Sequence, residues 1–395
     1  MNRARLILNA GKDKAVMRRH PWIFSGAVKR IDGAPAEGDI VDVYSSDGRW
    51  LATGHYQNDS IICKVLSFDK EDVGADYFKQ LLKSAIEYRK RMGFFEGDEN
   101  TVFRVVNGEG DSLPGLICDW YNGTLVMQAH SVGMHRIFPQ LSEMFVELMG
   151  NYGVKSIFDK SSTTVPGGCN DGYLWGEKVE EREVMENGIR LRINFFEGQK
   201  TGFFVDQREN RQLVGSLAEG HRVLNCFGYT GGFSLAALHG GAEYVETVDI
   251  SKKAIDLCNR NVALNFGEES AASRHKGVVA DVLKYLDTID DSFDLVILDP
   301  PAFAKNHRSL QQGLKGYRSI NQKAIGKIRK GGLLFTFSCS QAVSRDDFQT
   351  MVFTSSALAG RKVRVVRQLP HAMDHPVSIY HPEGEYLKGL LLEIE

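Results

Sequence analysis

Between residues 1 and 70, apolar and polar positions alternate over short runs, and Ser46-Asp47-Gly48 and Gly54 punctuate them. Ile40–Tyr44 and Ile61–Leu66 have the period of strands, so this stretch predicts a small β-barrel. The period then lengthens. Phe78, Leu81, Leu82, Ala85 and Ile86 recur at helical spacing within 71–92, and Gly93 supplies the stop. Strand-like segments follow at 102–106, 116–120, 124–129 and 154–158, with an apolar-spaced helix near 135–148. Asn187-Gly188, between two alternating runs within 182–196, predicts a tight hairpin. Residues 71–197 thus read as a middle α+β domain. From 198 to 395, helical stretches separate short apolar strands at 222–225, 244–248, 277–280, 293–298, 332–338, 362–367 and 387–393. This is the pattern of an α/β doubly wound sheet, mixed but mostly parallel, with helices on both faces.

Composition narrows the picture little. With 395 residues, 43% hydrophobic, 25% charged and a net charge of −2, the chain reads as an ordinary globular protein. No apolar run reaches the length of a membrane span, and the N-terminus lacks a signal-peptide core, so the expected location is the cytoplasm. The six cysteines form no CxxC pair, which predicts neither a disulfide framework nor a metal site. Charge is locally uneven: the first thirty residues hold eight Lys or Arg against one acid. Within them Arg18, Arg19, His20 and Trp22 mix cations with aromatics, a combination suited to RNA phosphates and bases. The same residues equally suit a solvated basic arm with Trp22 and Phe24 in the core.

Ligands of doubly wound sheets bind beyond the C-terminal ends of the strands. Arg222–Ser234 reads as a strand, a glycine-rich turn containing Asn225, Phe227, Tyr229, Thr230 and Gly231, and a helix start. Such a turn lets backbone approach a ligand, and a helix start favours an anionic group. Its spacing is not the GxGxxG of nicotinamide dinucleotide sites. Asp249, followed by Ile250, ends the next strand, where an acid suits two ribose hydroxyls. Asp281-Val282 ends the third and suits an adenine amino group. Each acid could equally cap a helix. All three features at successive strand ends favour a nucleoside with an amino-acid tail, S-adenosyl-L-methionine. Lys200 and Arg208, in the polar segment Glu197–Arg211, suit the cofactor carboxylate, an RNA phosphate or surface ion pairs.

The reacting groups come from later strands. Asp299-Pro300-Pro301 and Ser338-Cys339-Ser340 each end a buried strand with reactive side chains. Cytosine C5 becomes nucleophilic only after a thiolate adds to C6, so Cys339 suits a covalent nucleophile and Asp299 a partner for the N3/N4 edge of the base. Where many exocyclic-amine methyltransferases place an aromatic residue after Asp-Pro-Pro, this chain has Ala302, which favours carbon over nitrogen as acceptor.

Arg18–Gly26, Lys200–Arg208, Asn225–Phe233, Asp299–Pro301 and Thr336–Ser340 resemble, in order and over essentially the full length, the motifs of the bacterial 23S ribosomal RNA large-subunit methyltransferase I family, which forms 5-methylcytidine. The resemblance implies an N-terminal PUA domain at 1–70, the middle domain at 71–197 and a class I (Rossmann-like) methyltransferase domain at 198–395. It also implies Cys339 as nucleophile, large-subunit ribosomal RNA as partner, and S-adenosyl-L-methionine as cofactor. Two positions depart from it: Ala302 stands for a lysine and Lys160 for an arginine. Methylation of a base nitrogen without a covalent intermediate, and a non-catalytic RNA-binding module with a vestigial pocket, remain as alternatives. The oligomeric state stays open, a homodimer included.

Overall fold

Ile40–Tyr44 alternates half-buried and buried positions, as a strand with one face on a core must. It lies inside a six-stranded sheet ordered Trp22–Phe24, Ile61–Ser67, Trp50–Tyr56, Ile40–Tyr44, Arg5–Leu8 and Val28–Asp32. The chain is described here from a computed structural model covering residues 3–395. It divides into two compact units. The first comprises Met1–Val184, Ile193–Asp206 and Met373–Gly384; the second comprises Met185–Arg192, Gln207–Ala372 and Glu385–Glu395.

In the first unit, the N-terminal sheet is followed by a five-stranded sheet ordered Gly172–Gly176, Ser156–Asp159, Thr124–Ala129, Leu116–Tyr121 and Val102–Asn107. The helices Ala75–Arg91 and Phe138–Met149 bury Phe78, Leu82, Phe138 and Phe145 in its core. The single helix expected near 135–148 is two, Val132–Arg136 and Phe138–Met149, because Pro139 opens the second and cannot continue the first. A buried charge network fastens the unit. Arg89, fully buried, forks onto Asp111 at 2.5 and 2.8 Å and donates to the Asp374 carbonyl at 2.7 Å. Arg104 forks onto Asp119, whose Oδ2 also takes the Thr201 hydroxyl at 2.5 Å. Each buried cation thus meets a carboxylate and at least one further polar partner, the condition under which a buried pair is tolerable.

The second unit holds a seven-stranded sheet. Its strands are β1 (Arg222–Cys226), β2 (Tyr244–Asp249), β3 (His275–Val279), β4 (Leu295–Leu298), β5 (Gly332–Ser338), β6 (Val363–Leu369) and β7 (Lys388–Ile394), in spatial order 3-2-1-4-5-7-6. β1 to β5 run parallel, while β7 pairs antiparallel with both β5 and β6. The sheet is therefore mixed and mostly parallel, as the alternation of helix and strand predicts. Neighbouring residues of β1 serve opposite faces. Leu224 and Cys226 join a core with Val282, Leu286, Ile320 and Phe348, whereas Asn225 donates to Ser234 of the helix Gly232–His239 at 2.8 Å. The order reverses at β1, where strands 2 and 4 flank it and a crevice opens at their C-terminal ends. No helix among the described residues is long and apolar enough to cross a membrane.

Burial pushes the imidazoles of His55 and His275 down to about 4. These groups stay neutral in the folded chain at pH values where the unfolded chain protonates them. Stability is therefore fully present above about pH 6.5 and is lost as pH falls from there towards about 4. In chemical denaturation across that range, His275→Gln, which keeps a hydrogen-bonding partner for Thr247, should flatten part of the slope. A variant with the wild-type slope would contradict a neutral, buried His275.

Candidate active site

The glycine-rich turn after β1 is held in an unusual backbone conformation. Phe227 and Tyr229, neither of them glycine, have φ of 59° and 46°, and Gly231 follows at 87°. Left-handed non-glycine residues cost free energy and persist where surrounding contacts enforce them. Here the Tyr229 N–H donates to Asp249 Oδ2 at 3.0 Å, and the Ser251 N–H donates to Oδ1 at 2.8 Å. A Cβ on Gly231 would meet the Cys258 sulfur at 2.4 Å, so the helix start packs where only glycine fits. Beneath the turn lies a buried polar row. Asn225 bonds Ser234 at 2.8 Å, Ser234 meets Thr247 at 2.6 Å, and Thr247 meets His275 Nε2 at 2.7 Å, joining β1, β2 and β3. Asn225 Oδ1 and the Thr230 hydroxyl are buried and have no hydrogen-bond partner among the described residues. Ile250, beside Asp249, is 74% exposed.

Asp281 caps the helix Val282–Thr288, accepting the Lys284 N–H at 3.0 Å. Val282 points into the core, which leaves its backbone as the group at the strand end. Arg208 is 4% exposed and lies 3.8 Å from Glu209.

Across the switch point, β4 and β5 pair in parallel, with Leu298 level with Thr336. Their ends are stitched together. The Cys339 thiol donates to the Pro300 carbonyl at 3.8 Å. The Ala304 N–H donates to Ser340 Oγ at 3.2 Å, and Tyr317 meets the same hydroxyl at 2.8 Å. Cys339 is half-buried, while Cys63, Cys118, Cys226 and Cys258 are fully buried and their thiols are pushed up by burial. Asp299 is half-buried and receives the Gln207 side-chain N–H at 3.1 Å. Asn210 in turn donates to Gln207 Oε1 at 2.6 Å and to the Pro370 carbonyl at 3.2 Å. The thiol thus lies against the residue next to the Asp299 carboxylate.

The defining pattern of S-adenosylmethionine-dependent methyltransferases matches residues 162–375, and that of PUA-like domains matches 6–68. The chain is 38% identical to ribosomal RNA large subunit methyltransferase I of Aeromonas hydrophila, covering 98% of this chain and 99% of that one. It belongs to the ribosomal RNA large subunit methyltransferase I family. The Escherichia coli K12 member is 37% identical over 99% of both chains. The fold also matches a solved methyltransferase complexed with S-adenosylhomocysteine, at a TM-score of 0.84 and 22% identity over 100% of both chains.

S-adenosylmethionine is accordingly the cofactor of this member of the family. The residues present fit it: a buried, unpartnered Thr230 hydroxyl, a turn held open by left-handed residues, and Asp249 at the end of β2.

The first unit carries the remaining sequence-predicted residues. Arg18 and Arg19 are exposed, and Arg19 lies 3.9 Å from Asp69. His20 contacts Glu383 at 3.3 Å. Trp22 donates to Glu109 at 2.7 Å, meets the His381 ring edge-on with centroids 4.3 Å apart and carries the Lys64 ammonium 4.9 Å from its ring centre. Phe24, read as a core residue in the bland alternative, is 49% exposed; Ile23 fills the core instead. Lys200 is exposed, lies 3.6 Å from Asp206 and sits over the Phe204 ring. His375 Nδ1 lies 2.8 Å from Asp374 Oδ1. His135, Asp159 and Cys169 bring their ligand atoms within 4.8 Å of one another. Within it His135 Nε2 and Asp159 Oδ2 are hydrogen-bonded at 2.8 Å.

Sequence reasoning passed over Gln207, Asn210 and Tyr317. Gln207 and Asn210 stand three apart on one turn, a spacing that puts both on one face. Tyr317 carries no signal beyond a helical apolar position.

Proposed function

We propose that the chain methylates C5 of a cytosine in large-subunit ribosomal RNA through a covalent bond from Cys339 to C6. The observation that carries this reading is the thiol of Cys339 lying against the Pro300 carbonyl, one residue from Asp299. Bound S-adenosylmethionine supplies the methyl group. The Cys339 thiolate forms the S–C6 bond and the displaced electron pair makes C5 the nucleophile that accepts the methyl. Removal of the C5 proton then restores the C5–C6 double bond and expels the thiolate. Asp299, oriented by Gln207, faces the amino edge of the base as an acceptor. Phe303 supports carbon over nitrogen as target: it is half-buried, with its ring 4.7 Å from Tyr317 and 6.3 Å from Phe227, and so is engaged by the protein rather than set out to stack a base.

In the same reading Asp249 takes the ribose hydroxyls, with Ile250 beside it, and the backbone at Asp281-Val282 takes the adenine edge. Asn225, Phe227, Tyr229, Thr230, Gly231 and Arg208 surround the amino-acid end, with Lys200 as a further cation for it or for RNA phosphate. Residues 1–70 serve as the RNA-binding module, with Arg18, Arg19, His20 and Trp22 on its contact surface, 71–197 as the middle domain and 198–395 as the methyltransferase domain. The RNA substrate carries a cytoplasmic location with it.

Cys339→Ala should bind S-adenosylhomocysteine as the wild type does in calorimetry and lose at least about a thousandfold in turnover. RNA containing 5-fluorocytidine should trap the wild type as a covalent complex and leave the variant unlinked. Full turnover by Cys339→Ala, or active enzyme that gives no adduct, would refute the thiol role.

Thr230→Ala removes a buried hydroxyl that has no protein partner. It should leave the melting temperature of the ligand-free protein unchanged or raised while weakening S-adenosylhomocysteine by roughly tenfold. Unchanged affinity would remove Thr230 from the site. Arg18→Ala should weaken RNA binding across sequences and reduce the slope of log affinity against log salt by about one. An unaltered slope would place the RNA elsewhere.

A further inference from the structure

β7 is apolar apart from Lys388 and Glu393. Leu390, Leu391, Leu392 and Ile394 are buried, and so is Lys388 at 4% exposure. An ammonium in such a place is costly unless its hydrogen bonds and its charge are both met. Lys388 lies opposite Ser338 in the antiparallel pair of β7 with β5. From there its Nζ donates to the Ser340 carbonyl at 2.6 Å and to the Tyr386 carbonyl at 2.7 Å. The cation thus reaches over the residue between Ser338 and Ser340, which is Cys339. Two neutral carbonyls take two of its three hydrogens without balancing its charge.

We infer that Lys388 is a positioning residue for the nucleophile: it clamps the strand end that carries Cys339 and stabilises the thiolate there. This rests on the reading of Cys339 as the attacking group. The surroundings agree. Burial pushes the Lys388 amine down to about 8, and the charge of Cys339 is foremost among those drawing it back up. The other charged groups facing Lys388 are Glu385 and Arg345, which form an ion pair with each other and so largely offset one another. On the far side of Cys339 stand the Asp299-Pro300 turn, through the Pro300 carbonyl, and the hydroxyl of Tyr317, itself pushed up by burial and by the neighbouring sulfur. Tyr317 is neutral in the working range, and Lys388 is a cation placed to stabilise a thiolate at Cys339. An opposite charge at this range lowers a thiol's titration midpoint by roughly one unit or more.

The test follows alkylation of Cys339 by iodoacetamide against pH in the full chain, read on the Cys339 peptide by mass spectrometry. The wild-type midpoint should lie below that of an ordinary cysteine, about 8.5. Lys388→Met should raise it by about one unit or more while retaining the wild-type circular dichroism, and Lys388→Arg should stay near wild type. A merely structural lysine would alter melting without moving the midpoint. An unchanged midpoint in folded Lys388→Met overturns the inference, and so does a wild-type midpoint at or above about 8.5, which can be read even if the variant fails to fold. Turnover by Cys339→Ala reports separately on the nucleophile, so the two ideas fail on different measurements.

Discussion

The parallel pairing of β4 with β5 is the constraint on which the chemistry depends. Two strands that run the same way in adjacent positions must deliver their C-terminal residues to the same edge of the sheet. With Leu298 level with Thr336, that rule brings Asp299-Pro300 and Ser338-Cys339-Ser340 together. Local bonds then remove the remaining freedom. Ser340 Oγ accepts from Ala304 and meets Tyr317, and the Cys339 thiol rests on Pro300. A register slip of one residue would turn every side chain of β5 to the opposite face and carry the thiol away from the carboxylate. The bonds of Cys339 and Ser340 to the Pro300–Ala304 segment oppose such a slip.

The cofactor side of the crevice is built on the opposite principle, with backbone strain and unsatisfied polarity retained rather than removed. Left-handed Phe227 and Tyr229 and the orphaned hydroxyl of Thr230 are features that a fold selected for stability alone would discard. They are held in place by the Asp249 carboxylate and by the buried row from Asn225 to His275. That row spans three strands and ties the geometry of the turn to a residue on β3.

Much of this architecture was legible in the chain. The seven strands of the second unit were readable because each is a short apolar run between helical stretches, and the Asn187-Gly188 hairpin because left-handed turns select those residues: φ is 50° and 77° there. Gly172–Gly176 went unread, since its exposed Leu174 and Trp175 give no alternation to detect. The reversal of β7 was also hidden, because the hydrophobic pattern of a buried strand carries no direction. At the site, the motifs announced Asp249, Asp299 and Cys339 by their places at strand ends. Gln207, Asn210 and Lys388 contact residues distant in sequence, and only the folded chain brings them together. Lys388 did carry one signal, a cation at the head of the leucine run Leu390–Leu392.

The most direct test of the central claim is to map methylated bases in large-subunit ribosomal RNA from cells lacking the gene and from cells restored with the wild type or with Cys339→Ala. The account predicts that one 5-methylcytidine disappears on deletion, returns with the wild type and stays absent with the variant. Loss of a methyl group from a base nitrogen instead, or return of the modification with Cys339→Ala, would contradict it.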